Sequence, residues 1–441
     1  AIFVGAASSR DDRPQLPLLQ QRSGGCGFRS ESECRVGVAV KETEYNRLGT
    51  PTPNSYFFCS LLVTIFHSNA SLRLGTFFMD PLFIPHSRPT LGEEEARAAA
   101  AAVASGQIAE GPEVEAFERE VAGLLGVEHA VSVSSGTAAL YLVLTAMGVG
   151  AGDEVVVPSF VCSALLNAVA AAGAAPVLAD VEPATFNMDP ADVAGRLSPR
   201  TKAIVVPHMF GLPADLGQLA AFGVPLIEDC AQAIGGEHQG RAVGSIGQAA
   251  IFSFYATKVM ATGEGGMVVT RSASLAESVR DCKSYDKKQL YRRRFNFKMT
   301  DIQAAIGRVQ LRRLAGFIRR RGDIAERFRT VLRDFPIRLP RPDPGRIYFR
   351  FVVDSVVDAA DFVRRAHAQG IGCELPVHPP LHRLLGIEGF PHAENAWKHA
   401  VSLPIYPVLT DEEISRILEV VSDMLRRQNI DPDGVTRPNA C

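Results

Sequence analysis

Four short apolar runs constrain this chain more than any other feature. Val155-Val156-Val157, Pro176-Val177-Leu178-Ala179, Ala203-Ile204-Val205-Val206-Pro207 and Pro225-Leu226-Ile227 are continuous rather than alternating. A strand with one wet face reads apolar-polar-apolar; a strand that is apolar throughout must be covered on both sides. Helical segments lie between the runs, at 164–172 and after the turn Asn187-Met188-Asp189-Pro190. That rhythm predicts an α/β fold with a mostly parallel central sheet. Ligands of such sheets bind beyond the carboxyl ends of the strands. His208 and Asp229 stand at two of those ends.

Two other stretches point to the same rim. Ser253-Phe254-Tyr255-Ala256-Thr257-Lys258 and the glycines of Gly263-Glu264-Gly265-Gly266 lie between apolar lines at 249–252 and 267–270. This reads as strand, turn, strand with one lysine at the bend. An ammonium held between buried strands is costly unless it has a task; taken alone, the stretch also reads as a solvated surface turn. Upstream, His129-Ala130-Val131-Ser132-Val133 runs into Ser134-Ser135-Gly136-Thr137 and a helix to Met147. Free N–H groups and the helix dipole make such a junction an anion site, and the same residues make an ordinary N-cap.

Capping boxes at Thr90-Leu91-Gly92-Glu93 and Thr410-Asp411-Glu412-Glu413 start helices, the first with Thr90 as N-cap. Pro112 opens a helix that Gly126 ends. An amphipathic helix is expected at 300–314, and a separate Arg-rich one at about 315–332. Residues 1–78, rich in Ser, Arg, Gly, Pro and Gln, read as a disordered extension or as sequence outside the working protein, with a targeting peptide as the alternative. Residues 79–318 form a large α/β domain, 319–428 a smaller α+β domain, and 429–441 a loose tail.

Composition narrows the function. A net charge of −2 gives no global pull toward nucleic acid or an anionic membrane, and no run reaches the ~20 apolar residues of a membrane span. The eight cysteines form no CxxC pair and no zinc-like cluster with histidine. This fits reduced thiols in a cytoplasmic enzyme without a metal site. The basic segment 287–298, with Arg292 and Arg293 at its centre, reads either as a solvated loop or as a landing site for a polyanion such as a nucleoside diphosphate.

The rim carries what a pyridoxal-phosphate enzyme needs: a lysine for the covalent link, an acid for the ring nitrogen, a phosphate cup and something over the ring. Lys258 supplies the first and Asp229 the second. Ser135, Gly136, Thr137 and Ser253 form the third. Gln232 is placed to meet the ring hydroxyl, and Ala231 is small enough to lie against the ring face.

These stretches resemble, in order, the DegT/DnrJ/EryC1/StrS sugar aminotransferases. The resemblance rests on Gly111-Pro112-Glu113-Val114, His208-Met209-Phe210-Gly211-Leu212-Pro213-Ala214-Asp215, Glu228-Asp229-Cys230-Ala231-Gln232-Ala233, Gly240-Arg241-Ala242-Val243-Gly244-Ser245, the Lys258 stretch, and Asn296-Phe297-Lys298-Met299-Thr300-Asp301. It implies a fold-type I pyridoxal-phosphate transferase: a homodimer with shared active sites that moves an amino group from glutamate to a nucleotide-linked keto sugar. It gives Lys258, Asp229, Gln232, Ser253 and the Gly136-Thr137 turn the roles above, and sends Asn296 to the partner's cofactor phosphate. His208, Arg292 and Arg293 are candidate substrate residues. Two alternatives share the fold: a sugar dehydratase, disfavoured because those compared replace the lysine with histidine, and a non-catalytic regulator. One departure stands out. Cys162 takes the place where many members stack an aromatic ring on the cofactor.

Overall fold

The computed structural model describes residues 83–354 and 358–428. The extension expected at 1–78 and the tail at 429–441 lie outside them.

Helices α1 (Glu93–Ala104) and α2 (Pro112–Leu125) lead into β1 (His129–Val133) and α3 (Gly136–Ala146). Then follow β2 (Glu154–Pro158), α4 (Ala164–Ala172), β3 (Ala175–Ala179), α5 (Pro190–Arg196), β4 (Thr201–Pro207), α6 (Leu216–Ala220) and β5 (Leu226–Asp229). A small hairpin of β6 (Glu237–His238) and β7 (Arg241–Ala242) precedes β8 (Ala249–Ser253), β9 (Gly266–Thr270) and α7 (Ala273–Cys282). Seven strands form one sheet in the order β1-β9-β8-β5-β4-β2-β3. All its pairings are parallel except those of β9, which is antiparallel to both neighbours.

The continuous apolar runs are explained by burial on two faces. Val155, Val157, Val205, Ile227 and Ile251 pack with Leu140, Leu142 and Leu165 of α3 and α4. Val156, Ile204, Val206 and Leu226 pack on the other face with Val193 of α5 and Leu216 and Leu219 of α6. Each such side chain contributes about 1.5–3 kcal/mol when fully buried. Further along that second face Ala250, Phe252, Met267 and Val269 meet Val114 and Phe117 of α2.

The chain continues as α8 (Asp301–Leu332), β10 (Phe351–Asp354), α9 (Ala359–Ala368), α10 (Leu381–Leu385), α11 (Pro391–His399), β11 (Ala400–Leu403) and α12 (Asp411–Gln428). Strands β10 and β11 pair antiparallel. Phe351, Val353, Val401 and Leu403 form a second core with Phe362 of α9 and Ile417 and Val421 of α12. This is a smaller C-terminal α+β region beside the large α/β one. No helix among the described residues is long and apolar enough to cross a membrane.

Two local readings change. The helices expected at 300–314 and 315–332 are one, 32 residues long. Thr300 caps it, accepting the Gln303 N–H (3.3 Å) while Gln303 Oε1 accepts the Thr300 N–H (3.0 Å). Ala304 and Leu314 pack in the core of the large region, and Ile324, Phe328 and Leu332 in that of the small one. Likewise α1 starts at Glu93 rather than just after Thr90, because Glu95 and not Glu93 turns back, accepting the Gly92 N–H at 2.8 Å. Glu95 is fixed there by Gln310 of α8 (2.8 Å) and Arg313 (2.5 Å), and Gln310 also takes the Thr90 carbonyl (2.9 Å).

Candidate active site

Three strand ends and one helix start meet at the carboxyl rim. Asp229 is the last residue of β5 and faces the α3–α4 side, as Ile227 does two positions earlier. Ser253 closes β8, and the Lys258 N–H donates to the Tyr255 carbonyl (2.9 Å), folding the turn that carries the lysine. Ser135 caps α3, its Oγ accepting the Ala138 N–H at 3.1 Å. The Gly136 and Thr137 N–H groups at the first turn of α3 have no partner among the described residues.

One cavity of about 240 Å³ collects most of the expected residues: Ser135, Gly136, Thr137, Cys162, Asp229, Ala231, Ser253 and Lys258 all line it. Its floor depends on two glycines. A Cβ at Gly266 would lie 2.3 Å from the Ser135 carbonyl carbon, and one at Gly136 would lie 2.9 Å from Ser253 Cβ. The helix start, the end of β8 and the start of β9 therefore meet where neither glycine has room for a Cβ.

The electrostatics set this cavity apart. Burial pushes the Lys258 amine below its usual range; Cys162 and Asp229 pull it back up, and Arg350 lowers it further. A lysine so treated is more often the neutral nucleophile. Burial pushes the Asp229 carboxyl up, against the Ala231 N–H (3.0 Å), Lys258 and His208. A carboxylate in this condition pairs strongly with a buried cation. The Cys162 thiol opens onto the cavity yet is enclosed on its other sides; that enclosure and Asp229 raise it, and Lys258 lowers it.

The other expected residues stand elsewhere. Gln232 does not line the cavity, and its Oε1 accepts the Phe210 N–H at 2.9 Å. His208 requires a correction as a substrate residue. Its side chain is fully buried, Nδ1 accepts the Ala214 N–H (3.0 Å), and Nε2, which must then carry the proton, lies 3.2 Å from Glu228 Oε2. No ring atom is left to meet a substrate. His208, Glu228 and Cys230 have ligand atoms within 4.8 Å of one another. Those of His208 and Glu228 are already taken by protein hydrogen bonds, so the cluster is a structural knot. Arg293 lines a separate groove of about 690 Å³ that shares Ser135 and Thr137 with the cavity. Arg292 and Asn296 are exposed and line neither space. Tyr255 and Glu264 line the cavity without having been singled out, although both sit in the Lys258 stretch.

An amine, a carboxylate pressed upward by burial, a hydroxyl and a helix start with free N–H groups fit pyridoxal 5'-phosphate. Lys258 would hold its carbonyl carbon, Asp229 its ring nitrogen, and Ser253 with the α3 N-terminus its phosphate.

Comparison with known proteins agrees. Residues 89–422 match the DegT/DnrJ/EryC1/StrS aminotransferase family. The UDP-N-acetyl-3-dehydro-alpha-D-glucosamine 3-aminotransferase of Acidithiobacillus ferrooxidans is 37% identical over 322 residues, 69% of this chain and 87% of that protein. The crystal structure of the aminotransferase TlmJ from Streptoalloteichus hindustanus superposes with a TM-score of 0.75 at 37% identity, covering 78% of this chain and 99% of that one. A Streptococcus pneumoniae protein solved in its PLP-form gives a TM-score of 0.74 at 25% identity over 78% of this chain and 99% of its own. This chain belongs to the DegT/DnrJ/EryC1/StrS aminotransferase family and is a pyridoxal-phosphate-dependent enzyme.

Proposed function

We propose that the protein transfers an amino group from glutamate to a keto sugar carried on a nucleoside diphosphate. The observation that carries this is the convergence of Lys258, Asp229, Ser253 and the α3 N-terminus on one cavity. When bound, the cofactor supplies an electron sink for the carbon from which a proton is removed. The chain's own residues do the rest. Ser253 and the Gly136 and Thr137 N–H groups hold the phosphate, and Asp229 keeps the ring nitrogen protonated. Lys258 Nζ, a neutral amine at the cavity wall, would take the proton from the substrate carbon and return it. Ala231 leaves the ring face clear, and Gln232, whose Oε1 is held by the Phe210 N–H, would offer its amide nitrogen to the ring hydroxyl.

A sugar nucleotide as acceptor is supported by what the Acidithiobacillus relative is named for. The protein acts as a homodimer with shared sites. In support, the groove lined by Arg293, Phe295 and Phe297 abuts the phosphate cup, while Asn296 is exposed and lines neither that groove nor its own cavity. Arg292 and Arg293 then meet the diphosphate.

The test is incubation with L-glutamate and a panel of nucleotide-linked keto sugars, with products read by mass. An amino sugar together with 2-oxoglutarate is expected. Release of ammonia with loss of a sugar hydroxyl, or no product from any sugar while the cofactor is bound, would overturn the reading.

A further inference from the structure

Among the described residues Lys258 Nζ makes no hydrogen bond and no ion pair; what lies against it is an aromatic face. Nζ stands over the Phe349 ring, 5.2 Å from the centroid, within the ~6 Å over which a ring face attracts a cation. The titratable and charged groups around the amine are few. Asp229 and Cys162 face it from the cavity wall, and Arg350 from beside Phe349, its Cζ 5.5 Å from the same centroid. Burial and Arg350 disfavour the ammonium, and Cys162 and Asp229 favour it.

Phe349 is fastened at this place from three sides. It is 6% exposed and belongs to one core with Phe254, Val259 and Met260, on either side of the lysine in the chain. The guanidinium of Arg321, buried on α8, donates to the carbonyls of Phe349 (3.1 Å) and Tyr348 (3.4 Å). A Cβ at Gly211, which follows β4, would lie 3.0 Å from the Phe349 nitrogen, and the Ile347 N–H donates to the Gly211 carbonyl at 3.0 Å. Tyr348 has a φ of +47°, a conformation that a bulky side chain seldom takes and that persists only where its surroundings impose it. The segment before β10 thus carries strain at the residue next to the ring.

Lys258 is charged for the interval between taking a proton and returning it. A carboxylate against Nζ would fix that proton. A ring face attracts the ammonium and has little hold on the neutral amine, so it eases the interval without keeping the proton. We propose that Phe349 is a positioning residue for the transfer: its ring face receives the Lys258 ammonium between the two proton movements and keeps Nζ in reach of the cavity. The assignment rests on the proton-carrying role of Lys258 in the proposed function.

The test uses the cofactor-free full chain as wild type, Phe349→Leu, Phe349→Tyr, and a chain with ring-trifluorinated phenylalanine at position 349, which keeps the shape and empties the face of negative charge. Trace acetylation with acetic anhydride from about pH 6 to 11, with the Lys258 peptide read by mass, gives the midpoint at which Nζ becomes reactive. The rate of pyridoxal phosphate capture is followed by absorbance over the same range. Loss of the face should lower the Lys258 midpoint by about 0.5–1.5 pH units in Phe349→Leu and in the trifluorinated chain, and leave Phe349→Tyr close to wild type. The plateau of the capture rate at high pH should fall about 10-fold in Phe349→Leu, where the amine is no longer placed, and hold in the trifluorinated chain. A wild-type midpoint in the trifluorinated chain overturns the proposal, and so does a midpoint moved as far by Phe349→Tyr as by Phe349→Leu, which would make the ring a filler of volume. The trifluorinated chain keeps the core filled, so the first outcome is read even if Phe349→Leu does not fold. If Lys258→Ala captures pyridoxal phosphate with the absorbance of a lysine-linked cofactor, this proposal and the role of Lys258 fall together; capture through Lys258 that is indifferent to every change at position 349 overturns this one alone.

Discussion

Glu228 and Asp229 are adjacent carboxylates on β5, and the pleat sends them to opposite faces of the sheet. Glu228 is fully buried and fully answered. It accepts the N–H groups of Gly244 (2.8 Å), Ile246 (2.8 Å) and Gly247 (2.7 Å) and pairs with His208. Burial pushes its carboxyl up, and these partners outweigh that and bring it below its usual 4.5. Asp229 is nearly as buried and accepts one backbone N–H, from Ala231, so burial wins and its carboxyl sits above 3.8. The same chemical group is thus a structural fastener on one face and a strained charge on the other. What separates them is the count of donors, and the face with too few is the one with the cavity.

This contrast can be broken by substitution. Lys258→Ala, on the strained face, should lower turnover by at least about 10³-fold and remove the absorbance of lysine-linked cofactor; a variant that kept both would break the contrast at its centre. Asp229→Asn should cost about 10²–10³-fold in kcat. It should also raise the thermal midpoint of the cofactor-free protein at pH 7. The sign follows from linkage: between 3.8 and its raised folded value Asp229 binds more protons folded than unfolded, so stability falls as pH rises through that value, and an amide has no charge to strand. A lowered midpoint would show that Asp229 is a fastener after all.

Glu228→Gln should do the opposite. It should lose about 2–4 kcal/mol of stability by urea unfolding and keep most of the kcat in the protein that folds. Because the Glu228 carboxyl is depressed when folded, its contribution is present above 4.5 and lost as pH falls through the folded value. The acid limb of the stability curve should therefore be shallower in the Gln variant. The smallest effect is expected at the floor. Gly266→Ala places a Cβ 2.3 Å from the Ser135 carbonyl carbon, and should weaken pyridoxal phosphate binding about 10-fold through the shift it forces. Unchanged affinity, measured by fluorescence titration of the cofactor-free protein, would separate the floor from the site.

Much of the strained face is legible in the residue order, because strand ends can be read from apolar runs and their next polar residue. Asp229, Ser253 and the Ser135–Thr137 junction are found that way. The fastened face is less legible. His208 also ends a strand, yet the Ala214 N–H and Glu228 that consume its ring lie on other segments, and nothing local distinguishes it from a substrate ligand. Gln232 has the same difficulty, since the backbone N–H it meets belongs to Phe210. The start of α1 is decided by Gln310 and Arg313 of a helix some two hundred residues on. Cys162, in contrast, is visible as a departure in the sequence, and it lines the cavity.

The antiparallel strand β9 carries one more consequence, for the order in which the protein comes into being. The cup is a joint between Ser135, Ser253 and Gly266, and β9 enters the sheet between β1 and β8. A nascent chain that has emerged as far as Lys258 already holds the lysine and the acid but lacks the strand that braces the helix start. Cofactor capture therefore requires β9 to have joined the sheet. Pyridoxal phosphate then acts as a seal on the finished sheet, adding stability in proportion to how far its concentration exceeds its dissociation constant.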